Sequence, residues 1–228
     1  MKIIAISDTH IESQHKLTEK LQSLHDTGEE FVLVHAGDAL NYGDTIEAHK
    51  FLTWFAALPF KHKLFVPGNH DFCFDATHTR NYSKISASEV AQLYPSIKLL
   101  INDVIEIDGV TFAGVCAIPD LPNWAFYADE RQRQRLFSLL PKADVLINHA
   151  PPLPFNGNHY YYNGCQYALD YAVRHEVQAY ICGHLHECYG YSSVSGVSCY
   201  NVAIVNEHYR GCNEPTVIDI FRKDCSNA

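Results

Sequence analysis

Five times along this chain a short apolar run stops at residues that ligate metals or move protons. "KIIAIS" (2–7) runs into Asp8 and His10, and "FVLVHAG" (31–37) into Asp38. "KLFVPG" (63–68) runs into Asn69, His70 and Asp71, "DVLIN" (144–148) into His149, and "AYICG" (179–183) into His184 and His186. Short apolar runs bounded by turn residues read as buried strands. Helical patterns separate the first three. Leu17, Leu21 and Leu24 recur at helical spacing before Gly28, and the stretch 44–59 opens at Asp44 or Thr45 and stops at Pro59. Strand–helix–strand alternation predicts parallel pairing, and in open α/β sheets ligands bind beyond the carboxyl ends of the strands.

The middle of the chain breaks this rhythm. "SASE" (86–89) is a capping box for a short helix, and 97–100 reads as a strand. In "VIEIDGVTFAGV" (104–115), Asp108-Gly109 between alternating runs predicts a hairpin. The first rhythm then resumes with helix 129–140, strand 144–152, helix 165–176 and strand 179–187. A second hairpin over 188–205 turns near Ser195-Gly196, and "TVIDIF" (216–221) is a last strand. Two β-α-β halves around a hairpin predict a four-layer α-β-β-α sandwich: two mixed sheets flanked by helices, in a single domain over 1–228.

Composition narrows the function. Acidic residues outnumber basic ones by 26 to 17, a net charge of −9, which repels nucleic-acid polymers and anionic membranes. No apolar run is long enough to span a membrane, and the N-terminal apolar stretch is too brief for a signal peptide. The expected location is cytoplasmic. The eight cysteines are irregularly spaced without a C-x-x-C pair, against a zinc ribbon or disulfide framework. The fourteen histidines, with imidazole a common ligand, place the chemistry elsewhere.

Taken singly, each strand-end residue has an ordinary structural role. Asp8 could cap a turn, Asn69 hold a left-handed turn beside Gly68, and His149 sit satisfied in a core. Together they deliver carboxylates, an amide and imidazoles to one end of a sheet. Mixed oxygen and nitrogen donors suit divalent manganese, iron or zinc, and two ions sharing a carboxylate form a phosphoryl-transfer site.

The ordered set D-x-H, G-D, G-N-H-D, H and G-H-x-H, from Asp8 to His186, resembles that of the calcineurin-like metallophosphoesterase superfamily. The resemblance implies two divalent ions, with manganese first and iron or zinc as alternatives. Asp8, His10 and His186 correspond to ligands of the first ion, Asp38 to the bridging carboxylate, and Asn69, His149 and His184 to ligands of the second. His70 corresponds to the residue beside the leaving group. Asp71 either orients His70 or caps a turn, and Gly68 permits the turn that aims Asn69 and His70. The implied reaction is hydrolysis of a phosphoester by a hydroxide bridging the metals.

Within the superfamily, phosphoprotein phosphatases carry arginines after G-D and before G-N-H. Here those positions read "GDALNYGD" and Pro67. Bidentate arginines hold a dianionic monoester, so their absence favours a diester. "GNHDFCFD", "INHAPPLPFNG", "GCQYALDYAVRHEVQAYICGHLHECYGY" and "EPTVIDIF" are similar to the small phosphodiesterases of the metallophosphoesterase-domain-containing group, which resemble class III cyclic-nucleotide phosphodiesterases. A small anionic phosphoester, cyclic or small nucleotide, is the implied substrate. Tyr161, with Tyr160 and Tyr162, is a candidate base-stacking residue, as is Trp124. Glu187 is a candidate acceptor orienting a ligand histidine. His35, His62, His78, His159 and His208 match no block and are read as structural or surface residues. Two alternatives remain: a phosphomonoesterase or nucleotidase of the same fold, which prefers monoesters, and a non-catalytic metal-binding scaffold, which turns over neither.

Overall fold

The computed structural model describes residues 1–11, 14–79, 82–153, 155, 164–211 and 213–221. The first sheet contains β1 (Lys2–Ile6), β2 (Phe31–His35), β3 (His62–Phe65), β4 (Ile97–Leu99) and β11 (Thr216–Asp219), in the order β11-β1-β2-β3-β4. Only β11 runs antiparallel to its neighbour. The second sheet contains β5 (Asp103–Ile107), β6 (Val110–Val115), β7 (Val145–Asn148), β8 (Ala179–Cys182), β9 (Gly190–Val194) and β10 (Val197–Asn201), in the order β5-β6-β7-β8-β10-β9. The helices are α1 (Gln14–His25), α2 (Thr45–Ala57), α3 (Ala87–Leu93), α4 (Glu130–Leu139) and α5 (Gln166–His175). Among the described residues, two mixed sheets flanked by five helices form the architecture expected from the sequence.

Local chemistry accounts for most elements. Asp44 caps α2 by accepting from the Glu47 N–H, and both Ser86 and Asp129 complete capping boxes at α3 and α4. Helix α2 buries Ala48, Phe51, Leu52 and Phe55, one helical face, and the rings of Phe51 and Phe55 meet His35 on β2. Truncating a buried ring such as Phe51 to alanine costs roughly 3–5 kcal/mol. Both hairpins turn as expected, with Asp108 and Gly109 at φ 49° and 77° and Ser195 and Gly196 at 51° and 83°. Positive φ at both central residues matches the right-handed twist of the paired strands.

The strands are shorter than the apolar runs suggested. β2 stops at His35, β3 at Phe65, β7 at Asn148 and β8 at Cys182, so the polar residues that follow lie beyond the strands, in loops and, for His186, at the start of a 3-10 turn. Left-handed backbone at Asp8, Asp38 and His184 cannot continue a strand, and Pro67 has no N–H to pair. β10 also lies parallel to β8, which the hairpin reading did not anticipate. Beyond β10 the chain reaches the first sheet. Ser7 donates its N–H to Val202 O at 3.0 Å and accepts from Ile204 N at 3.0 Å, joining the sheets at the carboxyl end of β1. Among the described residues no helix is long and apolar enough to cross a membrane.

Candidate metal centre

The loops after β1, β2, β3, β7 and β8 meet at one end of the molecule. Asp8 and His10 (φ 53° and 41°), Asp38 (54°) and His184 (70°) are all left-handed. Such backbone costs about 1 kcal/mol or more per residue and persists only where surrounding bonds over-determine it. Here Asp8 N donates to Gly37 O at 2.9 Å and His10 N to Asp38 O at 3.3 Å. Close approach also limits residue size. A Cβ on Gly68 would lie 2.3 Å from Asp38 Oδ1, and one on Gly183 would lie 2.1 Å from Asp8 Oδ2. Gly68 is therefore required by lack of space beside Asp38, not by a positive-φ turn.

Two groups emerge, Asp8 with His10 and His186, and Asp38 with His149 and His184. Within each, one ligand atom per residue lies within 4.8 Å of the others. Asn69 lies between Gly68 and His70, both of which touch Asp38: His70 N donates to Asp38 Oδ1 at 2.8 Å. Four buried atoms here, His10 Nε2, Asn69 Oδ1, His149 Nε2 and His184 Nε2, lack a hydrogen-bond partner among the described residues. Buried polar atoms left so are costly, and a shared cation is what they fit.

The tautomers sharpen that fit. A carbonyl can only accept, so His10, His149 and His186 donate Nδ1–H to Leu40 O (3.1 Å), Ala36 O (2.8 Å) and Asn206 O (3.2 Å). When neutral, each ring turns an Nε2 lone pair inward. His186 Nε2 faces Asp8 Oδ1 at 3.2 Å and His149 Nε2 faces Asp38 Oδ2 at 3.1 Å. A lone pair facing a carboxylate repels unless a proton or a cation lies between them. Carbonyl-anchored imidazoles are the usual support of metal-ligating histidine.

Electrostatics show the same competition. Burial pushes Asp8 up, but His149 and His186 outweigh it and hold it down at about 2. Burial pushes Asp38 up as well, and His149 and His70 outweigh it and hold it well below the ordinary carboxylate range. Burial would lower His149, but Asp38 and Asp8 overcome it and raise the ring to about 9. Burial, with His149 beside it, lowers His184 to about 4.

His70 donates Nδ1–H to Asn41 O at 2.8 Å, which leaves Nε2 for other work. Its ring lies 4.9 Å from His10 and 4.6 Å from Trp124, and Trp124 stacks on Phe72. Trp124 therefore packs against the imidazole. Asp71 accepts from Gly68 N (2.7 Å) and Leu40 N (3.0 Å), tying the β3 loop to the β2 loop. Of its two expected roles it takes the turn-fixing one. Burial and Asp38 push it up to about 8 against the pull of those amides. Glu187 is exposed, and Asn206 O takes the place at His186 Nδ1 expected of it. Tyr161 and its neighbours Tyr160 and Tyr162 lie outside the described residues.

Sequence reasoning missed two residues. His35, read as merely structural, accepts Gly37 N–H at Nδ1 (3.3 Å), so its Nε2–H points at Thr9 Oγ1 (3.0 Å). Burial lowers it to about 3, consistent with a neutral ring joining the β1 and β2 loops. Tyr209 follows no strand-end block, yet its ring lies 4.9 Å from His10 and 5.0 Å from His186. Nothing in its sequence context marks it.

This fold and these paired ligand groups define a class, and comparison with known proteins agrees. The Calcineurin-like phosphoesterase family matches residues 1–188, so the chain belongs to that family and is a metallophosphoesterase, a hydrolase. It is 31% identical over 238 residues to a UPF0046 protein of Caenorhabditis elegans, covering 99% of this chain and 77% of that one. It is 28% identical over 240 residues to human metallophosphoesterase domain-containing protein 1, covering 96% of this chain and 71% of the relative. Among solved structures, Thermus thermophilus TT1561 shares the fold, with a TM-score of 0.64 at 16% identity over 88% of each chain.

Proposed function

We propose that the protein is a metal-dependent phosphodiesterase that hydrolyses a small diester, a cyclic or other small nucleotide. The observation that carries this reading is the gathering of unpartnered buried donors, His10 Nε2, Asn69 Oδ1, His149 Nε2 and His184 Nε2, around Asp8 and Asp38. In this reading Asp8, His10 and His186 hold one divalent ion, Asn69, His149 and His184 hold the second, and Asp38 serves both. Such ions, manganese first and iron or zinc as alternatives, supply Lewis-acid charge and a nucleophile at neutral pH.

The chain's own groups do the rest. Asp38 sets the position of His70 through its backbone N–H. Asn41 O holds Nδ1–H and the Trp124 ring packs on the imidazole, so the doubly protonated ring can pass its Nε2 proton to the departing alkoxide and return to the neutral Nδ1–H form. Preference for a diester is supported by "GDALNYGD" and Pro67, where a monoester-binding site would place arginine. We also read the chain as one domain over 1–228, since β11 pairs with β1. Among the described residues, the buried free thiols of Cys73, Cys116, Cys165, Cys182 and Cys199 support a cytoplasmic location, since a reducing compartment maintains that state.

The test measures bound metal, then compares cleavage of an aryl phosphodiester and the matching monoester with manganese added. The expected result is about two ions per chain and faster diester cleavage; faster monoester cleavage overturns the diester reading. His70→Ala is expected to lower kcat by about 10²–10⁴-fold with metal content unchanged. Loss of metal in that variant would make His70 a ligand instead.

A further inference from the structure

Tyr209 stands at the rim of the centre, in the segment that follows β10. Its ring is near perpendicular to both His10 and His186, at 68° and 86°, and 48% of the residue remains exposed. Its backbone is left-handed, φ 57°. A bulky residue there carries a steric cost that glycine would avoid, so something must favour the ring. Packing alone is a poor reason, because nearly half of the side chain's residue is left in water.

The turn is built to hold that ring in place. Asn206 Oδ1 accepts from His208 N (3.0 Å) and Arg210 N (3.1 Å), Asn206 N donates to Arg210 O (3.0 Å), and Tyr209 N donates to Asn206 O (2.8 Å). The same Asn206 carbonyl receives His186 Nδ1–H. The Tyr209 backbone is thus tied to the same carbonyl that orients His186. His10 has two aromatic neighbours, His70 at 4.9 Å and Tyr209 at 4.9 Å. The ring next to the candidate ligands His10 and His186 is thus aromatic and half exposed, and the proposed proton donor His70 adjoins the same His10.

We infer that Tyr209 is a specificity-determining residue whose exposed ring surface receives the planar group of the ester, a nucleobase or an aryl ring. The inference rests on the proposed reading that the centre binds a phosphoester. Aromatic faces accept any base, so the expected selectivity is for planar over small alkyl groups and not for one base over another.

The test is binding, measured by calorimetry on manganese-loaded protein with adenosine 5′-monophosphate and with inorganic phosphate. The wild type is expected to bind the nucleotide more tightly. Tyr209→Ala is expected to weaken nucleotide binding by about 5- to 100-fold, leave phosphate binding unchanged and retain its metal. Tyr209→Phe should bind the nucleotide like the wild type. Tyr209→Gly removes the ring while relieving the left-handed backbone, so it reports the same loss without the risk of misfolding. Unchanged nucleotide binding in the alanine and glycine variants overturns the inference. So does equal weakening of nucleotide and phosphate, or loss of metal, which would make Tyr209 a support for His10 and His186. A wild type that binds nucleotide no better than phosphate overturns it as well. Protein that binds nucleotide through Tyr209 but cleaves no diester would defeat the proposed reaction and leave this inference standing.

Discussion

The two candidate ligand groups have the same composition, one carboxylate and two imidazoles, in different surroundings. In the first, the His186 side chain is 10% exposed and the half-exposed Tyr209 is its neighbour. In the second, His149 is fully buried and Asp38 nearly so, and Gly68 packs against both. Their attachments differ too. Asp8 already accepts from the Ser7 hydroxyl and from His184 N at 3.2 Å, so it is anchored to the first and last loops. Asp38 accepts from His70 N, so it anchors the residue proposed to protonate the leaving group. Each group keeps one partly exposed imidazole, His186 in the first and His184 in the second, so the two differ in their attachments more than in their burial.

The largest effect expected from this asymmetry separates two alanine variants. Asp38→Ala should lose both ions and fall to background activity, because it removes the carboxylate proposed to serve both ions and frees His70. His186→Ala should lose one ion and keep the other. Metal analysis of the purified variants decides it, and equal metal content in the two would erase the distinction drawn here.

A smaller effect is expected one layer out. His35→Leu removes the donor to Thr9 and the acceptor for Gly37, and so loosens the β1 and β2 loops together. Supports of this kind are worth about 10–100-fold in metal affinity. Titration of the metal-free variant with manganese should show both sites weakened, and weakening of only one would confine His35 to a single loop.

The smallest effect is on stability without metal. His149, raised to about 9 from 6.5, binds its proton more tightly folded than unfolded. Its contribution to stability is complete below the unfolded value and is lost as pH rises through 9. Asp8, lowered to about 2, contributes above its unfolded value of 3.8 and loses that as pH falls through 2. Metal-free protein should therefore melt at a lower temperature at pH 9.5 than at pH 6.5 in thermal scans. Saturating manganese should remove most of the decline, since the cation takes the proton's place. A melting temperature that is flat without metal would mean that His149 is not protonated.

Much of this was legible in the residues because it depends on local pattern. Apolar runs, caps such as Asp44 and Ser86, and the Asp108-Gly109 and Ser195-Gly196 turns each act within a few positions. The ligand types are legible too, because carboxylate and imidazole differ chemically from what surrounds them. The supports are not. Leu40, Asn41, Ala36 and Asn206 act through carbonyl oxygens, which every residue has. In the sequence Gly68 reads as a turn former, while in the fold it leaves room for Asp38, 30 positions away in the chain. Tyr209 acts through its place and has no motif.

The sequence alone determined the alternation of strands and helices, the order of the blocks from Asp8 to His186, and the donor atoms on offer. Short-range sterics, hydrogen-bond capacity and hydrophobic periodicity are properties of neighbouring residues. Tertiary structure decided where the strands end, that β10 pairs with β8, which imidazole nitrogen faces inward, and that Tyr209 overlooks the centre. Those outcomes depend on which surfaces meet when the two sheets close, and a contact between distant segments is set by the packing of everything between them.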